Sequence, residues 1–272
     1  MAILDEILAT KRDEVTVLHQ PATRNAIMNA AAGAAPARDF AAALRRTDGR
    51  LAVVAEIKRR SPSKGDLAPD LDPEATAKLY ETGGASALSV LTDAPFFGGS
   101  IADLQIAREA TALPALRKDF VLDEIQMFES RAVGADAVLL IVAAFRDDAV
   151  LADLHTLGVE LGLGVLVEAH DEREVERAVS VGARIVGVNS RSLQTFAEDL
   201  AVAERLAALV PAEVTRVAES AVRSVEDARR MTEVGFDAVL VGEAFVRAAD
   251  PAALVGAMAA LPVAPDRRAR EA

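Results

Sequence analysis

The sequence predicts an α/β chain folded as a (β/α)8 TIM barrel with an extra helical segment at its N-terminus. Three observations carry that prediction. Short apolar runs recur at regular spacing, and four of them open on a glycine: Gly84-Ala85-Ser86-Ala87-Leu88-Ser89-Val90-Leu91, Gly134-Ala135-Asp136-Ala137-Val138-Leu139-Leu140-Ile141, Gly182-Ala183-Arg184-Ile185-Val186-Gly187-Val188 and Gly235-Phe236-Asp237-Ala238-Val239-Leu240-Val241. A left-handed glycine ends a helix and lets the chain turn into the strand that follows. Between these runs lie others at 52–58, 114–120, 164–168 and 214–219, which brings the count to eight. The intervening stretches open on helix-start signals, and eight strand–helix units in about 220 residues is the size of a barrel. A doubly wound sheet is the structural rival. Regular spacing and polar residues closing most of the strands favour the barrel.

In chain order, the first fifty residues precede any strand. Ile3, Leu4, Ile7, Leu8, Val15 and Leu18 recur at near-helical spacing, which predicts an amphipathic helix laid on the barrel, to plug its bottom or cover its top. Val53-Val54 reads as a buried strand, because both neighbours are apolar and β-branched residues suit a pleated surface. Asp72-Pro73-Glu74 supplies a cap and a first-turn proline before Ala75 to Tyr80. Asp123-Glu124, Asp171-Glu172, Ser224-Val225 and Asp250-Pro251 open further helices in the same way. The tail 263–272 is polar and is expected to fray. No linker interrupts the chain, so the reading is one domain over 1–272: an extension at 1–50, a barrel at 51–262 and the tail.

Composition narrows the function. Hydrophobic content of 51% with 26% charged residues marks a globular chain rather than a disordered one. No run of about 18 apolar residues is present, so no membrane partner is expected. The N-terminus has no basic stretch leading into an apolar one, so no signal peptide is evident. With 0 Cys, a disulfide or a thiolate site is excluded, in keeping with a cytoplasmic location. A net charge of −12 disfavours nucleic acid.

Against that acidic background the stretch 55–65 stands out. The apolar run 51–55 breaks into one acid, four bases and two hydroxyls: Glu56, Lys58, Arg59, Arg60, Ser61, Ser63 and Lys64. A basic pocket in an acidic protein suits a small anionic ligand. Glu56 and Lys58 are two apart, so on a strand they point to the same side. Burying both costs desolvation energy unless they are paired or used. The other strand ends add Thr92, Lys118, Asp119, Phe120, Glu168, Asn189, Arg191, Glu219, Ser220, Gly242 and Glu243. Chemistry on a barrel sits where strands end, and phosphate often binds after strands seven and eight. Ser220 offers a hydroxyl there, Gly242 permits close approach, and residues 243–247 can form a short helix. The 3 His, His19, His155 and His170, are scattered and no pair has metal-ligand spacing, so no metal site is expected. His170, two residues past Glu168, reads as a loop residue rather than a catalyst.

Residues 56–65 resemble the signature of the indole-3-glycerol-phosphate synthase family. The resemblance continues through Ser89-Val90-Leu91-Thr92-Asp93, Phe97-Gly98-Gly99-Ser100, Leu116-Arg117-Lys118-Asp119-Phe120, Val167-Glu168, Gly187-Val188-Asn189-Ser190-Arg191 and Val217-Ala218-Glu219-Ser220, with 7–12 similar to the family's opening helix. It implies a decarboxylating, dehydrating ring closure of 1-(2-carboxyphenylamino)-1-deoxyribulose 5-phosphate to indole-3-glycerol phosphate, a step of tryptophan biosynthesis that needs no cofactor. By motif match, Lys118 is the general acid and Glu168 the base. Glu56 orients the lysines and shares proton transfer, and Lys58 holds the substrate's carboxylate and phosphate. Asn189 and Glu219 hold sugar hydroxyls, and Phe97, Phe120, Leu139 and Leu193 line the anthranilate pocket. Ser61 and Arg191 belong to the polar rim, and Ser220, Ala221, Gly242 and Glu243 to the phosphate site. A small phosphosugar is thus the expected partner of a monomer or weak homo-oligomer. Phosphoribosylanthranilate isomerase, a related phosphosugar barrel, does not account for the Lys58–Lys118 pair, and a non-catalytic binding protein does not account for the retained charges. Two departures stand out. Gly98 occupies the family's aromatic-Asn/Gln-Gly-Ser turn, and Ala221 follows Glu219-Ser220 where the family has glycine. An ordinary negative φ is expected at Ala221, because alanine in the left-handed region costs about 1–2 kcal/mol.

Overall fold

The computed structural model describes residues 3–192 and 197–263. Eight parallel strands close into a barrel: β1 (Ala52–Ile57), β2 (Ala87–Leu91), β3 (Ala115–Lys118), β4 (Ala137–Ile141), β5 (Gly164–Ala169), β6 (Ile185–Asn189), β7 (Thr215–Glu219) and β8 (Ala238–Val241). Each pairs with its sequence neighbours, and β8 returns to β1 in the register Ala52↔Ala238 to Ala55↔Val241. All eight expected runs therefore contain a strand. Their lead-ins at 84–86, 134–136, 182–184 and 235–237 belong instead to the turns, where Gly84, Gly134, Gly182 and Gly235 take φ of 84° to 89°. The expected helix starts are realised. Asp72 accepts from the backbone N–H of Glu74 and Ala75, and Asp123 forms a capping box with Gln126. Asp171, Ser224 and Asp250 cap their helices likewise.

Alternation along the strands separates two cores. Val53, Ala55 and Ile57 face the surrounding helices, whereas Ala52 and Val54 face the barrel interior with Leu116, Leu139, Leu166, Ile185, Val217 and Leu240. The interior is thus filled by side chains in layers, as a closed eight-stranded barrel requires.

The N-terminal extension serves both ends of this barrel. It forms α1 (Ile3–Leu18), α2 (Pro21–Gly33) and α3 (Phe40–Leu44). Phe40 and Leu44 of α3 are fully buried in the interior cluster and seal the bottom, where Gly164 leaves room for Phe40. Burying two such side chains stabilises the fold by about 1.5–3 kcal/mol each. α2 packs on the helix Glu124–Ala132, and α1 lies at the opposite end with Ile7, Leu8 and Lys11 buried. Residues 264–272, most of the expected tail, fall outside the described residues.

Candidate active site

The period of two that fills the interior continues past its last apolar layer. From Ala52 and Val54 it reaches Glu56 and Lys58, from Leu116 it reaches Lys118 and Phe120, and from Leu166 it reaches Glu168 and His170. From Ile185 it reaches Gly187, Asn189 and Arg191, from Val217 it reaches Glu219, and from Leu240 it reaches Gly242. Side chains two apart share a face, so these residues gather at the carboxyl ends of the strands, and all of them but Gly187 and His170 line one pocket there. Glu56, Lys58, Ser61, Phe97, Lys118, Phe120, Leu139, Glu168, Asn189, Arg191, Glu219, Ser220, Ala221, Gly242 and Glu243 all line it. Leu193 lies outside the described residues.

The charges interlock. Lys118 Nζ is 3.2 Å from Glu168 Oε2 and 3.8 Å from Glu219 Oε2. Lys58 Nζ is 2.5 Å from Glu56 Oε1. Burial alone would lower the Lys118 pKa, but Glu168, Glu219 and Glu56 outweigh it and hold the ammonium above the ordinary lysine range. Burial would also raise Glu168, yet Lys118 and His170 keep it well below the usual carboxylate range. Glu56 is lowered against its own burial by Lys58 and Lys118. Glu219 moves the other way, since burial and the charge of Glu168 push its pKa well up. The site therefore holds ionised and neutral carboxyl groups against two ammonium groups, which is the division that acid–base chemistry needs.

Two glycines make room for these acids. A Cβ on Gly187 would stand 2.0 Å from Glu219 Oε1, and one on Gly242 would stand 2.5 Å from Glu56 Oε1. Gly242 thus leaves to Glu56 the space that a side chain would fill. On the apolar side, the rings of Phe97 and Phe120 stand 6.1 Å apart at 38°, above the buried Leu139.

The loop after β7 corrects one expectation. Ala221 has φ 59° and Ser220 φ 62°, so the alanine is left-handed rather than ordinary. The cause is a tight turn: the N–H of Val222 donates to the carbonyl of Ser220 at 2.8 Å, which bends the chain sharply as it leaves the strand. Gly98, the other departure, takes φ 64° and ends the short helix Ala94–Phe97, a conformation glycine adopts freely.

The structure adds residues that sequence reasoning missed. Ile3, Leu4 and Ile7 of α1 form part of the pocket wall. Lys11 is buried behind it, with Nζ 2.9 Å from Asp119 and 3.1 Å from Asp93. Glu198 pairs with both Arg191 and Arg223, and Ser63 accepts from Arg191 at 2.5 Å. Only Lys11 left a usable signal, as a charge one turn beyond Ile7 and Leu8 on an otherwise apolar stripe. Among the described residues, no group of three His, Cys, Asp or Glu could hold a metal ion, and no helix is long and apolar enough to cross a membrane.

Comparison with known proteins agrees with this geometry. A family model described as Indole-3-glycerol phosphate synthase matches residues 4–258. An indole-3-glycerol phosphate synthase of Paenarthrobacter aurescens (strain TC1) is 50% identical over 256 residues, covering 92% of this chain and 93% of its own. That of Leifsonia xyli subsp. xyli (strain CTCB07) is 53% identical over 229 residues, covering 84% and 87%. Among solved structures, 3-hexulose-6-phosphate synthase from Salmonella typhimurium superposes with a TM-score of 0.60 at 15% identity, covering 77% of this chain and 97% of its own. At that identity the likeness shows the fold alone.

Proposed function

The chain belongs to the indole-3-glycerol phosphate synthase family, decarboxylating lyases of tryptophan biosynthesis that act on a phosphosugar, and from that premise we propose how its residues divide the work. The substrate, 1-(2-carboxyphenylamino)-1-deoxyribulose 5-phosphate, must close a carbon–carbon bond between its aromatic ring and its ketone. Carbon dioxide leaves the ring carbon, and the former ketone oxygen leaves as water. A weakly nucleophilic aromatic carbon attacks only if the ketone oxygen receives a proton as it becomes an alkoxide. Lys118 supplies that proton, a contribution of about 10²–10⁴-fold. The observation that carries this reading is the Lys118 ammonium, buried in the mouth and kept charged by the carboxylates of Glu168 and Glu56.

Glu168, ionised and touching Lys118, is the base for the proton lost on dehydration. Glu56 orients both lysines and shares in proton transfer. Lys58 holds the substrate's carboxylate and phosphate, fixing the reactive conformer. Asn189 and Glu219 take sugar hydroxyls, and Glu219 Oε1, which makes no hydrogen bond within the described residues, is available for one. Phe97, Phe120, Leu139 and Leu193 receive the aromatic ring. Ser61 and Arg191 form the rim, and Ser220, Ala221, Gly242 and Glu243 the phosphate site, supported by their adjacency at the ends of β7 and β8. The proposal extends to a single working unit over 1–272, a monomer or weak homo-oligomer in the cytoplasm. The shared pocket wall of α1 and the barrel supports the first, and 0 Cys supports the last.

The test is direct. With 0 Trp and 1 Tyr in the chain, indole emission should rise over little background when the protein meets the carboxyphenylamino substrate. Lys118→Ala should keep the circular dichroism spectrum and lose about 10²-fold or more of turnover. Glu168→Gln should keep substrate affinity and stall the chemistry. Near-normal turnover in Lys118→Ala would transfer the acid role to Lys58.

A further inference from the structure

We propose that His170, braced by Glu174, is a positioning residue that fixes the carboxylate of Glu168 so that Oε2 alone faces Lys118 and the reacting atoms. This deepens the assignment of Glu168 as base and rests on it. His170 leaves β5 by one residue, on the same face as Glu168, and is largely buried. Its Nε2 stands 3.3 Å from Glu168 Oε1, in ion-pair contact. Its Nδ1 stands 3.0 Å from Glu174 Oε2, and its backbone N–H donates to that same oxygen at 2.8 Å.

Each ring nitrogen thus faces a carboxylate. A neutral imidazole has one donor and one acceptor, so either tautomer would set a lone pair against an anion. Only the imidazolium satisfies both neighbours, and the carboxylates do hold His170 protonated, up to about 10, against the cost of burial. Glu174 sits in the first turn of the helix Glu172–Ser180, so its own position is set by the helix. Two bonds from one Glu174 oxygen, to ring and backbone, prevent the imidazole from turning away. Glu168 is then held at both ends, Oε1 by ion-pair contact with His170, whose Nε2 makes no hydrogen bond within the described residues, and Oε2 by the hydrogen bond from Lys118 at 3.2 Å. Rotating its carboxylate breaks the Lys118 hydrogen bond and separates Oε1 from the imidazolium, and a proton acceptor fixed at hydrogen-bond range is what base catalysis requires.

The groups facing His170 are Glu168 from β5 and Glu174 from the helix beside it; Lys118, Asn189 and Glu219 act on it through Glu168. Removing the imidazolium removes a cation from Glu168, so the Glu168 pKa rises. The acid limb of kcat/KM should move to higher pH by about one unit or more. A merely structural role would not move that limb.

The experiment compares wild type, His170→Leu, His170→Gln, Glu174→Gln and Glu168→Gln by pH–rate profiles, with circular dichroism as the folding control. His170→Leu should lose between about 10- and 100-fold in kcat, keep KM, and show the shifted limb. His170→Gln, which restores a neutral donor, should recover part of kcat and none of the shift. If His170→Leu fails to fold, Glu174→Gln carries the test, since an unbraced ring should shift the limb in the same direction. An inactive Glu168→Gln with an unmoved limb in the His170 and Glu174 variants overturns the positioning role alone. A freely active Glu168→Gln overturns the base assignment, and the positioning role with it.

Discussion

Replacing Lys11 with methionine should detach the N-terminal helix from the barrel mouth while leaving the barrel folded. Methionine keeps most of the length and apolar stem of lysine but removes the charge. In the structure, the Lys11 side chain is 3% exposed and its ammonium lies 2.7 Å from Glu14, 2.9 Å from Asp119 and 3.1 Å from Asp93. Asp119 does not depend on it alone. It retains Arg117 at 3.2 Å and the Thr92 hydroxyl at 2.6 Å, and Arg117 is the first of the groups that hold it down at about 2 against burial. Asp93 is different. Its Oδ1 caps the N–H groups of Phe96 and Phe97, but its Oδ2, fully buried, has among the described residues no hydrogen bond and only the Lys11 ammonium as counter-charge.

Leaving one member of a buried pair without its partner costs about 3–5 kcal/mol. Against this, α1 contributes the burial of Ile7 and Leu8, about 1.5–3 kcal/mol each before the cost of ordering the helix. The penalty is therefore as large as the attachment it opposes. The cheapest relief is for α1 to lift and admit water to Asp93, not for the barrel to open. Hydrogen exchange read by mass spectrometry should show residues 3–18 losing protection while the barrel strands keep theirs. KM should rise several-fold, because Ile3, Leu4 and Ile7 leave the pocket wall. Adding Asp93→Asn should restore protection, since it removes the orphaned charge and keeps the capping oxygen. Unchanged protection and KM in Lys11→Met would refute the pinning role, and equal loss from helix and strands would refute the local opening.

Three further outcomes are expected. Gly187→Ala should leave the melting temperature nearly unchanged but lower kcat, because the new methyl displaces the flexible end of Glu219 rather than backbone; normal turnover would show that the Glu219 position is not used. Ala221→Gly should relieve about 1–2 kcal/mol of left-handed strain, partly offset by about 0.4–1 kcal/mol of chain entropy, so the melting temperature should rise slightly; a fall would show the alanine to be unstrained. The folded His170 pKa lies above its unfolded value of about 6.5, so its stabilisation should be full below that pH and fade as pH rises toward about 10. The gap in melting temperature between wild type and His170→Gln should narrow over that window, and a constant gap would contradict it.

Much of this site was legible because one rule governs both core and chemistry. The alternation that makes Val54 an interior residue also makes Glu56 one, and a charge in that register must be paired or used. Helix starts were legible because caps are local: Asp72, Asp123 and Asp171 each satisfy N–H groups within a few residues. What escaped is long-range or conformational. Lys11 meets Asp93 and Asp119 across more than eighty residues, and nothing local marks that pairing. The sign of φ at Ala221 is set by a turn between Ser220 and Val222, and it overrides the preference of alanine itself. Gly187 reads as a strand residue until Glu219 is placed over it from the neighbouring strand.

The mouth is best understood as the top layer of the barrel's own packing. Below it, Leu116, Leu139, Leu166, Val217 and Leu240 interdigitate and fix the spacing of the strands. One step higher on the same strands stand Lys118, Glu168, Glu219 and, beyond Gly242, Glu56. Their positions are inherited from the layer beneath, so the charged groups need no loop to hold them in place. Such a layer is costly, because desolvating an ion can outweigh the attraction of its partner. Here the cost is limited by one neutral acid, Glu219, and by cations set on the remaining anions: Lys58 on Glu56, Lys118 on Glu168, and His170 behind Glu168. On the proposed assignment, an anionic substrate entering this ring meets cations already held by carboxylates, and its carboxylate and phosphate compete with Glu56 for Lys58. Under that proposal the competition weakens the grip on Glu56 and frees it for its proposed share in proton transfer. It gives a physical reason for the pairing of Glu56 and Lys58 two residues apart on one strand.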